Sequence, residues 1–417
     1  MKSSGSGSGL LPAAQAAAHL GIPSDLVVNE TLRLSPAGQA VQVMDMVRRF
    51  CHSAARDVEL THAPFINGVS GSERERLAEH LLPLARAAWA DLQVPDGRGG
   101  KLKFEHDHYL KMWALTDPQL NADFVALDEG QDSNGVIVDL VRKQNSQQIV
   151  VGDSAQQIYA WRGAVDALAT WPAKHRLQLT QSFRFGPAIA EEANTWLAEL
   201  GMPMRLSGNP TLRSTIGRLD RPEAVLCRTN ATAVGRAMSE MDRGRKVALI
   251  GGAKTIQRLA EAACDLQQGR ATNHPELMAF ASWQQVQDYV EEQPEEAGEL
   301  KSFVKLVDEH GADKIVTATR RMDSEKGAQV VCGTAHKSKG REWSKVEVAD
   351  DFREPKPIED GVPGPVPRAD GMLAYVTVTR AMDRLDNTGL AWIHERRNNP
   401  VGPRRSGGLE HDFLWIT

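Results

Sequence analysis

Two short apolar runs, each closed by acidic residues, constrain this chain more than anything else in it. Phe124 to Leu127 ends in Asp128-Glu129, and Ile149 to Val151 ends in Gly152-Asp153, with a helical spacer between them. Runs of this kind read as buried parallel strands, whose acidic ends then lie at the carboxyl edge of a sheet. An Asp-Glu pair in that place suits magnesium–nucleotide chemistry. Asp128 can hold Mg²⁺ through its water shell, and Glu129 can orient or deprotonate an attacking water. A lone acidic pair is commonly just a solvated turn, but Gln131 and Asp132 follow at once and Gln156-Gln157 stand behind the second acidic end. The run continues into Tyr159, Trp161 and Arg162, aromatic and basic side chains suited to stacking bases and holding backbone phosphate.

Composition sets wide bounds around that stretch. A chain of 417 residues can hold two or three domains, and 41% apolar with 25% charged residues is ordinary for a soluble globular protein. A formal net charge of -5 argues against a generally basic nucleic-acid binder, yet phosphate contacts need only a local patch. Cys51, Cys227, Cys264 and Cys332 are widely spaced, with no CxxC and no paired His cluster. Neither a zinc site nor a disulfide framework is expected, and a reducing cytosolic setting fits. No apolar run approaches membrane-spanning length and no signal-peptide pattern is present, so a non-secreted protein without a membrane partner is expected.

Taken in order, residues 1–9 are a Gly/Ser linker or added tail. Residues 10–120 read as a helical block, with amphipathic helices over 36–56 and 72–92 and a third over 106–116. Residues 121–175 hold the two strands and their acidic ends. From 176 to 264 the pattern is strand (176–180), loop, a helix opening at Pro187, then strands and helices in alternation, which announces a second parallel sheet. Residues 265–326 are polar and helix-rich, the mark of a solvated helical surface. Residues 327–417 resume the sheet with candidate strands at Val330–Cys332 and Val346–Val348, and a last strand is expected at 390–393. Between the candidate strands lie His336, Lys337 and Lys339 with the small Ser338 and Gly340, a combination that allows close approach of a phosphodiester backbone.

DEGQD (128–132) followed by VVGDSAQQIYAWRGA (150–164) resembles motifs II and III of the UvrD/Rep-like superfamily 1 DNA helicases. KFEHDHYLKMWAL (103–115) and LTQSFRFGPAIA (179–190) look closest to the F-box-helicase branch of that group. The resemblance implies an α/β architecture of two RecA-like parallel-sheet motor domains, the first incomplete, with helical insertions. Residues 10–120 would be an accessory, 1B-like block with a remnant of motor domain one, and 121–175 that domain's core. Residues 176–264 and 327–417 would be the two parts of motor domain two, and 265–326 a reduced 2B-like insertion. ATP and Mg²⁺ are the implied cofactors. Asp128 would serve the metal, Glu129 the water, Phe183 the adenine and Glu342 the nucleotide sugar. Gln156, Arg184 and Arg380 would serve the γ-phosphate, Arg380 as an arginine finger presented by the helix in LAYVTVTRAMDRL (373–385). Single-stranded DNA and single/double-strand junctions are the implied partners, contacted by Tyr159, Trp161, Arg162, His336, Lys337 and Lys339. The implied activity is ATP-driven 3′-to-5′ translocation with unwinding, in DNA repair or recombination, in a bacterial or phage-like cytoplasm or a eukaryotic nucleus. Three positions depart from the family pattern: Gly130 for the usual Ala, adding flexibility beside Glu129, Arg341 for an apolar residue, and Met382 for a basic one.

One part of such a motor has no counterpart in this sequence. A phosphate-binding loop, GxxxxGK[ST], cradles the nucleotide phosphates with backbone amides and a Lys. The nearest look-alikes are GRGGKL (97–102), with Leu after Lys, and GGAKT (251–255), which falls where the family has an ordinary loop. This chain is therefore expected to hydrolyse ATP poorly. Two readings stay open: a helicase whose loop is supplied by an amino-terminal segment or another chain, and a catalytically silent module that binds single-stranded DNA or a protein partner.

Overall fold

The computed structural model describes residues 13–29, 32–66, 69, 71–94, 100–159, 164–293, 297–358 and 363–398. From the amino end come α1 (Ala13–His19), a short antiparallel pair β1 (Leu26–Val27) and β2 (Arg33–Leu34), then α2 (Pro36–His52), α3 (Gly71–Leu92) and α4 (His106–Ala114). Next are β3 (Phe124–Leu127), α5 (Gly135–Arg142), β4 (Gln147–Val150) and α6 (Ala167–Thr170). There follow α7 (Pro187–Glu199), β5 (Thr215–Ile216), β6 (Ala224–Cys227), α8 (Asn230–Asp242), β7 (Val247–Leu249) and α9 (Lys254–Gln267). Helices α10 (Trp283–Glu292), α11 (Glu299–His310) and α12 (Ala312–Arg321) lead to β8 (Val330–Thr334), α13 (Ala335–Ser338) and β9 (Trp343–Val348). The described chain closes with α14 (Arg368–Val378), β10 (Ala381–Asp386) and α15 (Trp392–Asn398). The fold is mixed α/β with parallel strand pairing, as the sequence implies. Two compact units divide it: 1–177 with 229–332, and 178–228 with 333–417.

The first unit begins with a helical core. Ser35 caps α2 by accepting the Gly38 amide, and Pro36 opens the helix where its missing N–H costs nothing. Val43, Met46, Val47 and Phe50 recur at helical spacing and are buried against Leu77, Leu81, Ala85 and Trp89 of α3. Trp89 meets the Phe50 ring edge-on at 5.2 Å. Burying side chains of this size contributes about 1.5–3 kcal/mol each, and Phe50→Ala, which also leaves a cavity, would cost this block about 3–5 kcal/mol. Lys111 of α4 is buried with it. Its Nζ donates to Ser53 O (2.7 Å) and Ala55 O (2.6 Å) just past α2 and lies 4.3 Å from the Phe50 ring centre. Desolvation pushes its pKa down to about 8. His62 and His108 are buried nearby, and desolvation lowers the pKa of each.

In the same unit β3 and β4 run parallel, Phe124 opposite Gln147 and Leu127 opposite Val150. Val125, Leu127 and Val150 face a small core with Val138, Val141, Ala167 and Trp171. The other side of the pair corrects the sequence reading: Phe124, Ile149 and Val151 are exposed, so these strands are buried on one face rather than both. An apolar run reports only that each side chain tolerates burial, and period-2 geometry decides which ones receive it. β7 and β8 form a second parallel pair here, Val247 opposite Val330 and Leu249 opposite Cys332.

The second unit holds a parallel ladder in the order β5, β10, β9, β6. β6 is buried along its whole length, and α14 is buried from Gly371 to Val378, the stretch beyond its polar first turn. Two expectations fail in and around this unit. Residues 176–180 form no strand, and Leu177 and Leu179 are 92% and 83% exposed, because alternating leucines stabilise a strand only when something packs on them. Residues 390–393 form no last strand: Leu390 ends a 3₁₀ turn and Trp392 opens α15. The strand is β10, just beyond Arg380, which the sequence reading had counted within a helix.

Candidate nucleotide and nucleic-acid site

Because β3 and β4 are parallel and in register, Asp128-Glu129 and Val151-Asp153 leave the sheet at one carboxyl edge. Asp128 and Glu129 are both exposed. Glu129 adopts φ 51°, ψ 41°, a left-handed conformation that costs a residue with a Cβ about 1–2 kcal/mol. Hydrogen bonds on both sides hold it there. The Glu129 amide donates to Asp128 Oδ1 (2.9 Å), Gly130 N donates to Val151 O (2.9 Å), and Asp132 N donates to Glu129 O (2.9 Å).

Beneath Glu129 lies Gln131, with no solvent exposure. Its Nε2 donates to Glu129 Oε2 at 2.6 Å, and its Oε1 accepts from Asp153 N at 3.0 Å. The Asp153 carboxylate in turn accepts from Ala155 N (3.0 Å) and from Gln156 Nε2 (2.9 Å). The structure thus brings Asp128, Glu129 and Gln156 to one edge and adds Gln131, which the sequence marks beside the acidic pair without giving it a role. The available signal is a Gln two residues past Glu129, in a turn too tight to leave its amide in water. Gly130 is also corrected. It is buried, and a Cβ there would stand 2.6 Å from Val150 Cγ1, so the glycine answers crowding rather than supplying flexibility. Tyr159 is half-buried. Trp161 and Arg162 lie outside the described residues.

Among the described residues no cluster of three or more His, Cys, Asp or Glu is arranged to hold a metal ion. Asp128 nevertheless fits Mg²⁺, which keeps most of its waters and takes one or two carboxylates plus phosphate oxygens. One Asp128 oxygen is engaged by the Glu129 amide, and the side chain stands at the open strand end.

The second unit joins two further expected residues, Arg184 and Glu342. Arg184 Nε donates to Glu342 Oε2 at 2.7 Å and Arg184 Nη1 donates to Thr379 O at 3.1 Å, one residue before Arg380. The ion pair is open to water, its side chains 32% and 50% exposed. Phe183, beside Arg184, is 77% exposed. Arg380 is instead buried: Nε donates to Val376 O (2.9 Å) and Nη2 to Thr379 Oγ1 (2.9 Å), at the carbonyl end of α14 where a cation is favoured. Thr334 caps α13 by accepting the Lys337 amide, which sets Lys337 outward and exposed with His336 and Lys339 half-buried beside it. GGAKT does follow β7 and precede α9, but the Gly251 amide donates to Glu325 Oε1 at 2.9 Å, a carboxylate where a phosphate loop would receive phosphate. Among the described residues no helix is long and apolar enough to cross a membrane.

Comparison with known proteins bears on these residues directly. Residues 102–169, which include both acidic strand ends, match the UvrD/REP helicase N-terminal domain. F-box DNA helicase 1 of Gallus gallus is 31% identical over 330 residues, covering 71% of this chain and 32% of the relative. F-box DNA helicase protein 1 of Schizosaccharomyces pombe is 28% identical over 352 residues, covering 75% of this chain and 38% of the relative. ATP-dependent DNA helicase PcrA of Leuconostoc citreum is 33% identical over 84 residues, 18% of this chain and 11% of the relative. The chain spans about a third of the length of the F-box relatives it matches. With the strand-end carboxylates inside the matched segment and both F-box helicases aligned over most of its length, the chain is similar to the UvrD-like helicases, and along most of its sequence to their F-box helicase branch.

Proposed function

We propose that this chain carries working residues of an ATP-driven translocase that moves 3′ to 5′ along single-stranded DNA and opens duplex at junctions. One observation carries the reading: Glu129, fixed on strained backbone at a parallel strand end, lies beside Asp128 and is hydrogen-bonded toward Gln156 through Gln131 and Asp153. Mg²⁺, held by Asp128, would offset charge on the β- and γ-phosphates. Glu129 takes a proton from the water as its oxygen bonds to the γ-phosphorus. The bond from that phosphorus to the bridging oxygen breaks, and ADP carries the released electron pair away. Arg184 exchanges Glu342 for γ-phosphate oxygens, an exchange that costs little because an exposed ion pair is worth only about 0–1 kcal/mol. Phe183 offers an exposed face for the adenine, and Glu342, once released, can accept from the sugar hydroxyls. Arg380 serves the phosphate only after giving up its bonds to Val376 and Thr379. Tyr159, Trp161 and Arg162, with His336, Lys337 and Lys339, hold the DNA strand by stacking and phosphate contacts.

Since the sequence contains no GxxxxGK[ST] pattern, turnover by this chain alone is slow in this reading. ATP hydrolysis measured with and without single-stranded DNA, beside Glu129→Gln, tests it. Slow turnover that DNA stimulates and the variant abolishes supports the proposal. No turnover with DNA binding retained would replace it with a silent DNA-binding module.

A further inference from the structure

We propose that Gln131 is a positioning residue that aims the Glu129 carboxylate and couples it to the turn carrying Gln156. The proposal rests on the nucleotide reading above. A side-chain amide satisfies both neighbours at once without adding charge, since its NH₂ donates to a carboxylate while its C=O accepts from a backbone amide. Gln131 does both, and its two partners leave no choice about which end points where. Glu would set two carboxylates against each other, Leu would break both bonds, and Asn would fall one methylene short.

The surroundings are shaped around this amide. A Cβ at Gly152 would lie 2.1 Å from Gln131 Oε1, so only glycine before Asp153 admits the side chain. Gly130 N and Val151 N are bonded to the neighbouring strand at Val151 O and Leu127 O, which fixes the turn on which Gln131 sits. The connection therefore runs Glu129 carboxylate, Gln131 amide, Asp153 backbone, Asp153 carboxylate, Gln156 amide. A shift of Gln156 pulls on Asp153, and through Gln131 it turns the carboxylate that faces the water. Packing alone would not require a 2.6 Å bond to an exposed carboxylate, since Glu129 could be solvated there.

Three variants test this in the full chain: Gln131→Glu, Gln131→Leu and Gly152→Ala. DNA-stimulated ATP hydrolysis is followed against pH, and hydrogen exchange of the Asp153 amide is followed without nucleotide. Gln131→Glu keeps the size and is expected to move the acidic limb of the rate profile by about one pH unit or more toward alkaline, because the paired carboxylates compete for one proton. Gln131→Leu and Gly152→Ala are expected to lower kcat about tenfold or more with KM little changed, to add less than independently when combined, and to speed exchange at Asp153. A wild-type kcat and pH profile in Gln131→Glu would overturn the positioning role even if Gln131→Leu failed to fold. Unchanged exchange at Asp153 in Gln131→Leu and Gly152→Ala would overturn the coupling. Absence of turnover in the wild-type chain is distinct from both, because it sinks the nucleotide reading and the catalytic half of this proposal with it.

Discussion

Glu129 and Arg184 are both charged side chains expected to meet a nucleotide, and the fold treats them in opposite ways. Glu129 stands on left-handed backbone between strand-end hydrogen bonds, its carboxylate tied to an amide that sees no solvent. Arg184 rests in a half-open ion pair whose partner Glu342 is itself expected on the nucleotide. A base must be aimed before the water arrives, so strain and burial are tolerable costs. A phosphate-binding cation must be free to change partners, so a weak, hydrated pair suits it better. Arg380 resembles neither, because it is buried and bonded to carbonyl and hydroxyl groups of its own unit, and so it acts first as a structural cation at the end of α14.

That contrast can be broken at several points. Glu129→Gln should have the largest effect, a loss of about 10²–10⁴-fold in DNA-stimulated turnover with the melting temperature essentially unchanged. Gly130→Ala should come next. Its Cβ meets Val150, and forcing it in should cost about 1–3 kcal/mol in a denaturant titration, although the family pattern favours Ala there. Glu342→Ala should shift stability by less than about 1 kcal/mol, and the difference should vanish in high salt, as an exposed pair requires. A loss of several kcal/mol in that variant would mean that Arg184 is a fixed structural cation after all.

The helical core of the first unit supplies a pH test away from either site. Burial holds His62 and His108 below the ordinary histidine value of 6.5, so the unfolded chain binds more protons as pH falls past that point. Stability should therefore fall below about pH 6.5 and level off once both imidazoles are charged in the folded state. Lys111, pushed down to about 8 from 10.5, acts at the other end. The unfolded chain keeps its proton longer, so stability should rise between those values. Thermal melts across pH, repeated in His108→Gln, check both limbs.

Much of the fold was legible because its signals were local. Ser35-Pro36 marks the start of α2, apolar spacing marks α2 and α3, and two acid-ended runs mark a parallel strand pair. What was not legible depended on neighbours. The alternating leucines at 177 and 179 promised a strand that no packing surface supports, and 381–386 hid an exposed-sided strand inside what read as a helix. The carboxylates of the site could be named from sequence, because residue type and strand end suffice for that. The role of Gln131 could not, since it rests on Gly152, just past the end of β4, closing over its side chain.

The central claim is that the carboxylates at the end of β3 form a magnesium–nucleotide site. Binding of ATP to this chain by calorimetry, with Mg²⁺ and with excess chelator, beside Asp128→Asn, tests it most directly. The account predicts binding that needs Mg²⁺ and weakens about tenfold or more, roughly 1.4 kcal/mol, in the variant. Equal affinity in Asp128→Asn, or binding indifferent to Mg²⁺, would contradict it.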